Sequence, residues 1–152
     1  MKDMKKLRRR VAVGIIATAA IIQLYRPART NPPSDPKQGL SAVVAVDPAA
    51  QAILNRSCND CHSNRTVWPA YSEVAPFSWG VASDVDDGRR HMNFSEWGTY
   101  PGFKQKDLLD KACQLVTQHD MPPFVYSLVH HDRVPTQAER EVLCRWTKTV
   151  TQ

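Results

Sequence analysis

The sequence predicts an all-α fold with long loops. No stretch of useful length alternates β-branched and polar residues, so a sheet is not expected. Apolar residues recur instead at helical spacing, and residues that cap helix N-termini precede two of the segments concerned. At 152 residues, the chain is long enough for one domain with additional N-terminal segments.

The N-terminus has the pattern of a signal peptide or signal anchor. Six basic residues precede an uncharged run of 15 residues, from Val11 to Tyr25, which ends at Arg26. This run is shorter than the about 20 residues of a transmembrane helix, but snorkelling of Arg10 and Arg26 extends it, and no Ala-x-Ala-like cleavage site follows directly. We therefore expect residues 1–26 to form an uncleaved transmembrane anchor helix. The protein would then be a single-pass protein of the bacterial cytoplasmic (inner) membrane, with its C-terminal domain in the periplasm.

The net positive charge of the chain comes from this segment. Residues 1–26 contain seven Lys/Arg and one Asp, whereas residues 27–152 contain 13 Lys/Arg and 14 Asp/Glu. The remainder of the chain therefore has a net charge of −1, and no nucleic-acid partner is expected.

Residues 27–46 are rich in Pro, Ser, Asn and Gly and predict a linker, which leaves residues 47–152 as the folded domain. Asp47-Pro48 is a cap followed by a proline suited to the first helical position, and Thr136-Gln137-Ala138-Glu139 is a capping box. Four helices are predicted: from Ala49 to about Arg56, from about Pro76 to about Arg90, one carrying Leu108, Leu109, Ala112, Leu115 and Val116, and one carrying Ala138, Val142, Trp146 and Val150.

Cys58-Asn59-Asp60-Cys61-His62 is the motif with the most specific chemistry. In Cys-x-x-Cys-His, two thiols can each add to a vinyl group of haem while the adjacent imidazole binds the iron. A thioredoxin-like dithiol would require a βαβ pattern, and a zinc site would require a second Cys/His pair nearby. Neither context is present, so we expect one covalent haem c with His62 as the proximal iron ligand.

Met121 is our choice for the distal iron ligand. It precedes two prolines, which stiffen the backbone and help to direct a thioether, although most methionines fill gaps in a core. The alternatives to Met121 are a histidine, which would give a bis-His haem of lower reduction potential, or a different methionine. His91 is the strongest of them because it is near Phe94 and Trp97, and the others are His119, His130, His131 and Met92.

Aromatic residues are concentrated just after the attachment motif, where they would pack around the porphyrin and exclude water. They are Trp68, Tyr71, Phe77, Trp79, Phe94 and Trp97. Candidates for hydrogen bonds to the haem propionates are Arg89, Arg90, Tyr71 and Trp68.

Cys113 and Cys144 remain once haem has used two thiols. An even remainder in an oxidising compartment suggests a disulfide. On a helical wheel, however, Cys144 is nearly opposite the Ala138/Val142/Trp146 stripe, and Cys113 only flanks the apolar stripe of its own helix. The pairing therefore stays open.

The chain resembles the small bacterial haem-binding domain proteins, which are similar to shortened monohaem cytochromes c. The resemblance covers most of the chain and is carried by Cys58 to Pro69, Tyr71-Ser72, Val74 to Trp79, Gly88 to His91, Asn93 to Trp97, Met121-Pro122-Pro123, and Glu141 to Trp146, together with the basic-apolar start and Arg26 to Pro33. Cys144 departs from the family pattern. So does Gln118-His119-Asp120, where a turn containing glycine is more usual.

This resemblance implies a membrane-anchored, periplasm-facing, cytochrome c-like domain with one haem c. We expect a carrier of single electrons with redox proteins of the periplasm or inner membrane as partners, and no paired carboxylates or nucleophile–base pair suggest enzymatic chemistry. One alternative is a haem sensor or small haem enzyme with an open or labile distal site. Another is a structural haem-bearing subunit of a larger membrane complex.

Overall fold

The computed structural model describes residues 2–151, and no residue in this range is in a β-strand. The prediction of an all-α fold is therefore confirmed. The α-helices are α1 (Lys2–Ile22), α2 (Leu40–Val43), α3 (Pro48–Ser57), α4 (Asn59–His62), α5 (Phe77–His91), α6 (Gly102–Thr117), α7 (Phe124–Val129) and α8 (Gln137–Thr151). Short 3₁₀ helices occur at Pro36–Gln38, Ala70–Glu73, Phe94–Thr99 and His131–Arg133.

The four predicted helices are confirmed as α3, α5, α6 and α8. At the start of α3, an oxygen of the Asp47 side chain accepts hydrogen bonds from the N–H groups of Ala49 and Ala50, both at 3.0 Å. At the start of α8, the backbone N–H of Thr136 donates to Glu139 Oε2 at 2.8 Å and the N–H of Glu139 donates to Thr136 Oγ1 at 3.3 Å. Each helix thus begins where the sequence supplies oxygen acceptors for its first N–H groups.

The chain divides into two compact units, and α5 contributes residues to both. The smaller unit contains residues up to Thr30 together with Trp68–Asp84. In it, the Gln23 side chain donates to Ala75 O at 3.1 Å and accepts from Ala75 N at 3.0 Å. Trp79 Nε1 donates to Tyr25 O at 2.9 Å. Residues of α5 and of the segment before it therefore form hydrogen bonds with the chain that follows α1.

The larger unit, Asn31–Val67 with Val85 onward, contains the main apolar cluster. In this unit α8 packs against α6 and α3, and Trp97 is completely buried. The buried members of the cluster are Leu40, Ala50, Ile53, Leu54, Phe94, Trp97, Leu109, Val116, Leu143 and Trp146. Leu40 of α2 comes from the segment predicted as a linker, and the domain boundaries themselves stay a prediction. Cys113 of α6 and Cys144 of α8 are joined by a disulfide.

The predicted transmembrane anchor is wrong. Among residues 2–151, no helix combines the length and the apolar character that crossing a membrane requires. Helix α1 begins at Lys2, so it includes the basic cluster, and it ends at Ile22 before the uncharged run is complete. Its uncharged part, residues 11–22, is about 18 Å long at 1.5 Å per residue, against about 30 Å for a hydrocarbon core. The predicted single-pass location in the cytoplasmic membrane is contradicted with it.

The ion pair between Arg56 and Glu139 predicts an acid-sensitive contribution to stability. Both guanidinium Nη atoms donate to the Glu139 carboxylate at 2.8 Å, and this contact with Arg56, followed by the bond from Thr136 N, lowers the pKa of Glu139 to about 2. Because the folded pKa lies below the unfolded value of about 4.3, the stabilisation is present above that value and is lost as the pH falls towards 2. We expect Glu139→Gln to lower the free energy of unfolding at pH 7 by about 0.5–1 kcal/mol, since the pair is partly exposed.

Urea unfolding of the wild type and of Glu139→Gln at pH 7, 4 and 2 tests this expectation. Glutamine keeps the capping-box geometry, so the variant removes mainly the charge. Glu141→Gln, on the same helix, is the matched control and should change stability little at any pH. A difference between wild type and Glu139→Gln that stays constant from pH 7 to pH 2 would contradict the assignment.

Candidate functional site

Cys58, Cys61 and His62 project from one short helical turn. Cys58 ends α3, where its N–H donates to Leu54 O at 3.0 Å, and it also begins α4. The N–H groups of Cys61 and His62 donate back to Cys58 O at 3.2 and 2.9 Å. Residues three apart on a helical turn lie on the same side, so the two thiols are neighbours. Neither takes part in the disulfide, which joins Cys113 and Cys144.

The His62 imidazole is held by two backbone carbonyls. Its Nδ1 lies 3.0 Å from Gly88 O and 3.0 Å from Met92 O. A carbonyl can only accept, so Nδ1 carries the hydrogen and Nε2 keeps its lone pair. Burial lowers the pKa of His62, and the two carbonyl contacts only partly oppose that effect. The result is a neutral, oriented imidazole, which is the form that binds a metal.

Gly88 explains how α5 comes close enough to supply one of these carbonyls. A Cβ at this position would lie 2.5 Å from Cys61 O and 2.9 Å from Cys61 C. Only glycine allows this approach between α5 and the turn that contains Cys61, which is called the attachment turn after its predicted role. In the sequence, Gly88 lowers the helix propensity of its segment. In the structure, it lets α5 approach Cys61.

A polar network holds the segment that follows His62. Asn64 N donates to Ser95 Oγ at 3.0 Å, Asn93 Nδ2 donates to Asn64 Oδ1 at 2.9 Å, and Ser95 N donates to Asn93 Oδ1 at 3.0 Å. All three residues are almost completely buried. Ser95 and Asn93 flank Phe94, whose ring centroid is 6.0 Å from that of His62. The network therefore fixes the aromatic ring beside the imidazole.

Arg89 contacts the same segment. Its Nε donates to Ser63 O at 2.9 Å, and its Nη2 donates to Thr66 Oγ1 at 2.8 Å and to Asn31 Oδ1 at 2.9 Å. These bonds support the loop after the attachment turn, and the predicted contact of Arg89 with a propionate stays a prediction. The other predicted cofactor neighbours, Trp68, Tyr71 and Trp79, belong to the smaller unit, and their roles at the cofactor also stay predictions.

Met121 follows a tight end of α6. His119 has φ 64°, and its N–H donates to Val116 O at 3.3 Å while Asp120 N donates to Leu115 O at 3.0 Å. This is the Schellman motif, in which glycine usually occupies the left-handed position that His119 has here. Met121 N also donates to Leu115 O at 3.3 Å, and its side chain packs against the core cluster, as does Cys58.

The alternative distal ligands are in different settings. His91 is exposed at the end of α5, with its Nδ1 2.8 Å from Asp87 O. The His130 ring lies 4.5 Å from the Tyr126 ring, and His131 is exposed in a 3₁₀ helix. His119 is exposed and its Nε2 accepts from Arg140. Met92 contacts His62 through its carbonyl oxygen.

A connection that the sequence does not predict joins the turn containing Cys58 and Cys61 to the segment after Met121. Arg133 forms a salt bridge with Asp60, which lies between the two cysteines, and Arg133 Nη1 is 3.5 Å from the Tyr126 hydroxyl. Burial raises the pKa of Tyr126 to about 12, so its hydroxyl stays protonated at neutral pH. Asp60 and Arg133 are 73 residues apart, and no local pattern in the sequence indicates such a pair.

The donor set fits haem better than the other ligands considered. A thioredoxin-like site requires strands, and residues 2–151 contain none. In the described chain, no group of three or more His, Cys, Asp or Glu side chains is arranged to hold a metal ion. Two adjacent thiols, together with one imidazole whose Nε2 is available, suit an iron porphyrin.

The fold and the site thus describe a small all-helical haem protein. A family model for the haem-binding domain matches residues 17–149, and the chain belongs to that family. The resemblance to this family is confirmed, and haem is the cofactor of this protein; the covalent attachment and the iron ligands stay predictions. No curated protein and no solved structure is similar enough to the chain to count as a match.

Proposed function

We propose that the protein carries one haem c, bound covalently through Cys58 and Cys61, and that it transfers single electrons. The observation that carries this proposal is the pair of 3.0 Å contacts from His62 Nδ1 to Gly88 O and Met92 O. They orient the imidazole and leave Nε2 as the proximal ligand. Bound haem would supply a one-electron Fe(III)/Fe(II) couple, and the protein residues bind it, orient it and exclude water.

Covalent attachment is supported by the surroundings of the thiols. Burial raises the pKa of the Cys58 thiol to about 12, so a thiolate there is strongly disfavoured. A thioether is neutral and apolar, and it suits a position that packs against the core. Two such links would hold the ring while His62 approaches from the same turn.

Met121 is the distal ligand that this proposal favours. Its backbone is held by the end of α6, and its side chain packs against the core cluster that Cys58 also contacts. Met92 also packs against this cluster, but its carbonyl oxygen contacts the proximal imidazole, so Met92 lies on the His62 side of the site. With both axial positions filled, no substrate or dioxygen needs to bind the iron, which suits a carrier whose partners are other redox proteins.

The visible absorption spectrum tests the proposal. Wild type, Met121→Ala and the control Met92→Leu would be produced with a haem-maturation system. We expect wild type and Met92→Leu to show the weak far-red band of methionine–iron ligation and to leave CO unbound when reduced. Met121→Ala should lose the band and bind CO. Denaturing gels stained for haem check the covalent links, which should disappear in Cys58→Ser/Cys61→Ser.

CO binding by the wild type that is unchanged in Met121→Ala would overturn the role of Met121. The haem sensor or small haem enzyme with an open distal site would then be the better description. Loss of stained haem from denatured wild type would overturn covalent attachment independently of the distal ligand.

A further inference from the structure

Arg140 of α8 is a buried cation without an anionic partner in the described chain. Only 9% of its surface is exposed, and its Nε has no hydrogen-bond acceptor among residues 2–151. Its guanidinium contacts His119 Nε2 through Nη1 at 3.3 Å, and no salt bridge of the described residues includes it. Burial of a guanidinium is costly unless its charge and its N–H groups are compensated.

The end of α6 supplies hydrogen-bond acceptors but, among the described residues, no ion pair to Arg140. Val116 O accepts from His119 N, and Leu115 O accepts from Asp120 N and Met121 N. A carbonyl is neutral, and an imidazole that accepts a hydrogen bond carries no negative charge, so neither neutralises the guanidinium. The charge and the Nε donor of Arg140 are therefore available to an anion.

Two contacts locate Arg140 relative to the haem-binding residues. Its neighbour Glu139 is bound by both Nη atoms of Arg56, two residues before Cys58, so the start of α8 lies at the end of α3. Its own guanidinium contacts His119, two residues before Met121. Arg140 thus lies between the helix that ends at the attachment cysteine and the loop of the proposed distal ligand.

We propose that Arg140 binds a propionate of the haem. A carboxylate accepts two parallel N–H bonds from a guanidinium, and haem carries two such groups. The proposal rests on the haem attachment given above, and it assigns to Arg140 a contact that the sequence suggested for Arg89, Arg90, Tyr71 or Trp68. Arg140 is then a binding residue for the cofactor, and its charge also favours the reduced iron.

Arg140→Met and Arg140→Lys test this in the holoprotein. Resonance Raman spectra should show a shifted propionate bending vibration in both variants, because lysine lacks the planar fork. Reduction adds an electron to the iron, so a positive charge bound to a propionate would favour the reduced state. The equilibrium constant for reduction should therefore fall several-fold in Arg140→Met and less in Arg140→Lys.

Arg145→Met and Arg89→Met are the controls. Arg145 is exposed on the same helix, so its loss removes an equal charge without a propionate contact. An unchanged propionate vibration in Arg140→Met, or a shift only in Arg89→Met, overturns the proposal. Should Arg140→Met not fold, the vibration of Arg140→Lys decides in the same way. The far-red methionine band of the same samples reports Met121 ligation separately.

Discussion

Gly88→Ala is expected to destabilise the protein by about 2–3 kcal/mol and to reduce the yield of covalently attached haem. The new Cβ would lie 2.5 Å from Cys61 O and 3.0 Å from Cys61 Cβ. Since the closest contact is to backbone, α4 and α5 would have to separate. That movement would also lengthen the contact between Gly88 O and His62 Nδ1, which orients the imidazole.

Gly80→Ala is the matched control because it changes the same residue type in the same helix. A Cβ at Gly80 meets no atom within 4 Å, and alanine favours helix by up to about 1 kcal/mol over glycine. Urea unfolding and haem stain per mass of protein measure both effects. Equal stability and equal haem content in the two variants would show that the approach of α5 to the attachment turn is unimportant.

The helices of the larger unit follow closely from local sequence. Asp47 and the pair Thr136/Glu139 make the caps that their spacing predicts, and α6 contains the predicted apolar pattern. These features involve neighbours within four residues, which a sequence displays directly. The attachment motif is equally local, because both cysteines and His62 share one turn.

Features that depend on distant contacts or on backbone atoms could not be predicted in this way. The partners of His62 Nδ1 are carbonyl oxygens, which every residue has. The Asp60–Arg133 salt bridge and the isolated position of Arg140 depend on tertiary packing. The anchor prediction failed on helix length, since α1 ends at Ile22 and its uncharged part is too short to cross a membrane.

The buried face of α8 is not the stripe that the helical wheel predicts, and this changes the expectation for Cys113 and Cys144. Ala138, a member of the predicted stripe, is exposed, whereas Arg140, Leu143 and Trp146 are buried. The inward face is therefore rotated towards Cys144, and α6 packs against it. With this face of α8 turned towards α6, Cys144 can reach Cys113, and the structure contains the disulfide between them.

Cys113→Ala/Cys144→Ala is accordingly expected to lower the free energy of unfolding by about 3–4 kcal/mol. The disulfide closes a loop with a sequence separation of 31, and a cross-link of that span removes about this much conformational freedom from the unfolded chain. It also holds α6, whose end positions Met121, against α8, which carries Arg140.

Urea unfolding of the holoprotein, with and without a reductant, measures the effect. The wild type should lose more stability than the double variant when a reductant is added, because only the wild type has the Cys113–Cys144 link, whereas reduction of the iron affects both proteins. Cys113→Ala alone is the matched control and should resemble the double variant, since either change abolishes the link. A reductant effect of equal size in wild type and double variant would contradict this assignment and would attribute the stabilisation to packing between α6 and α8.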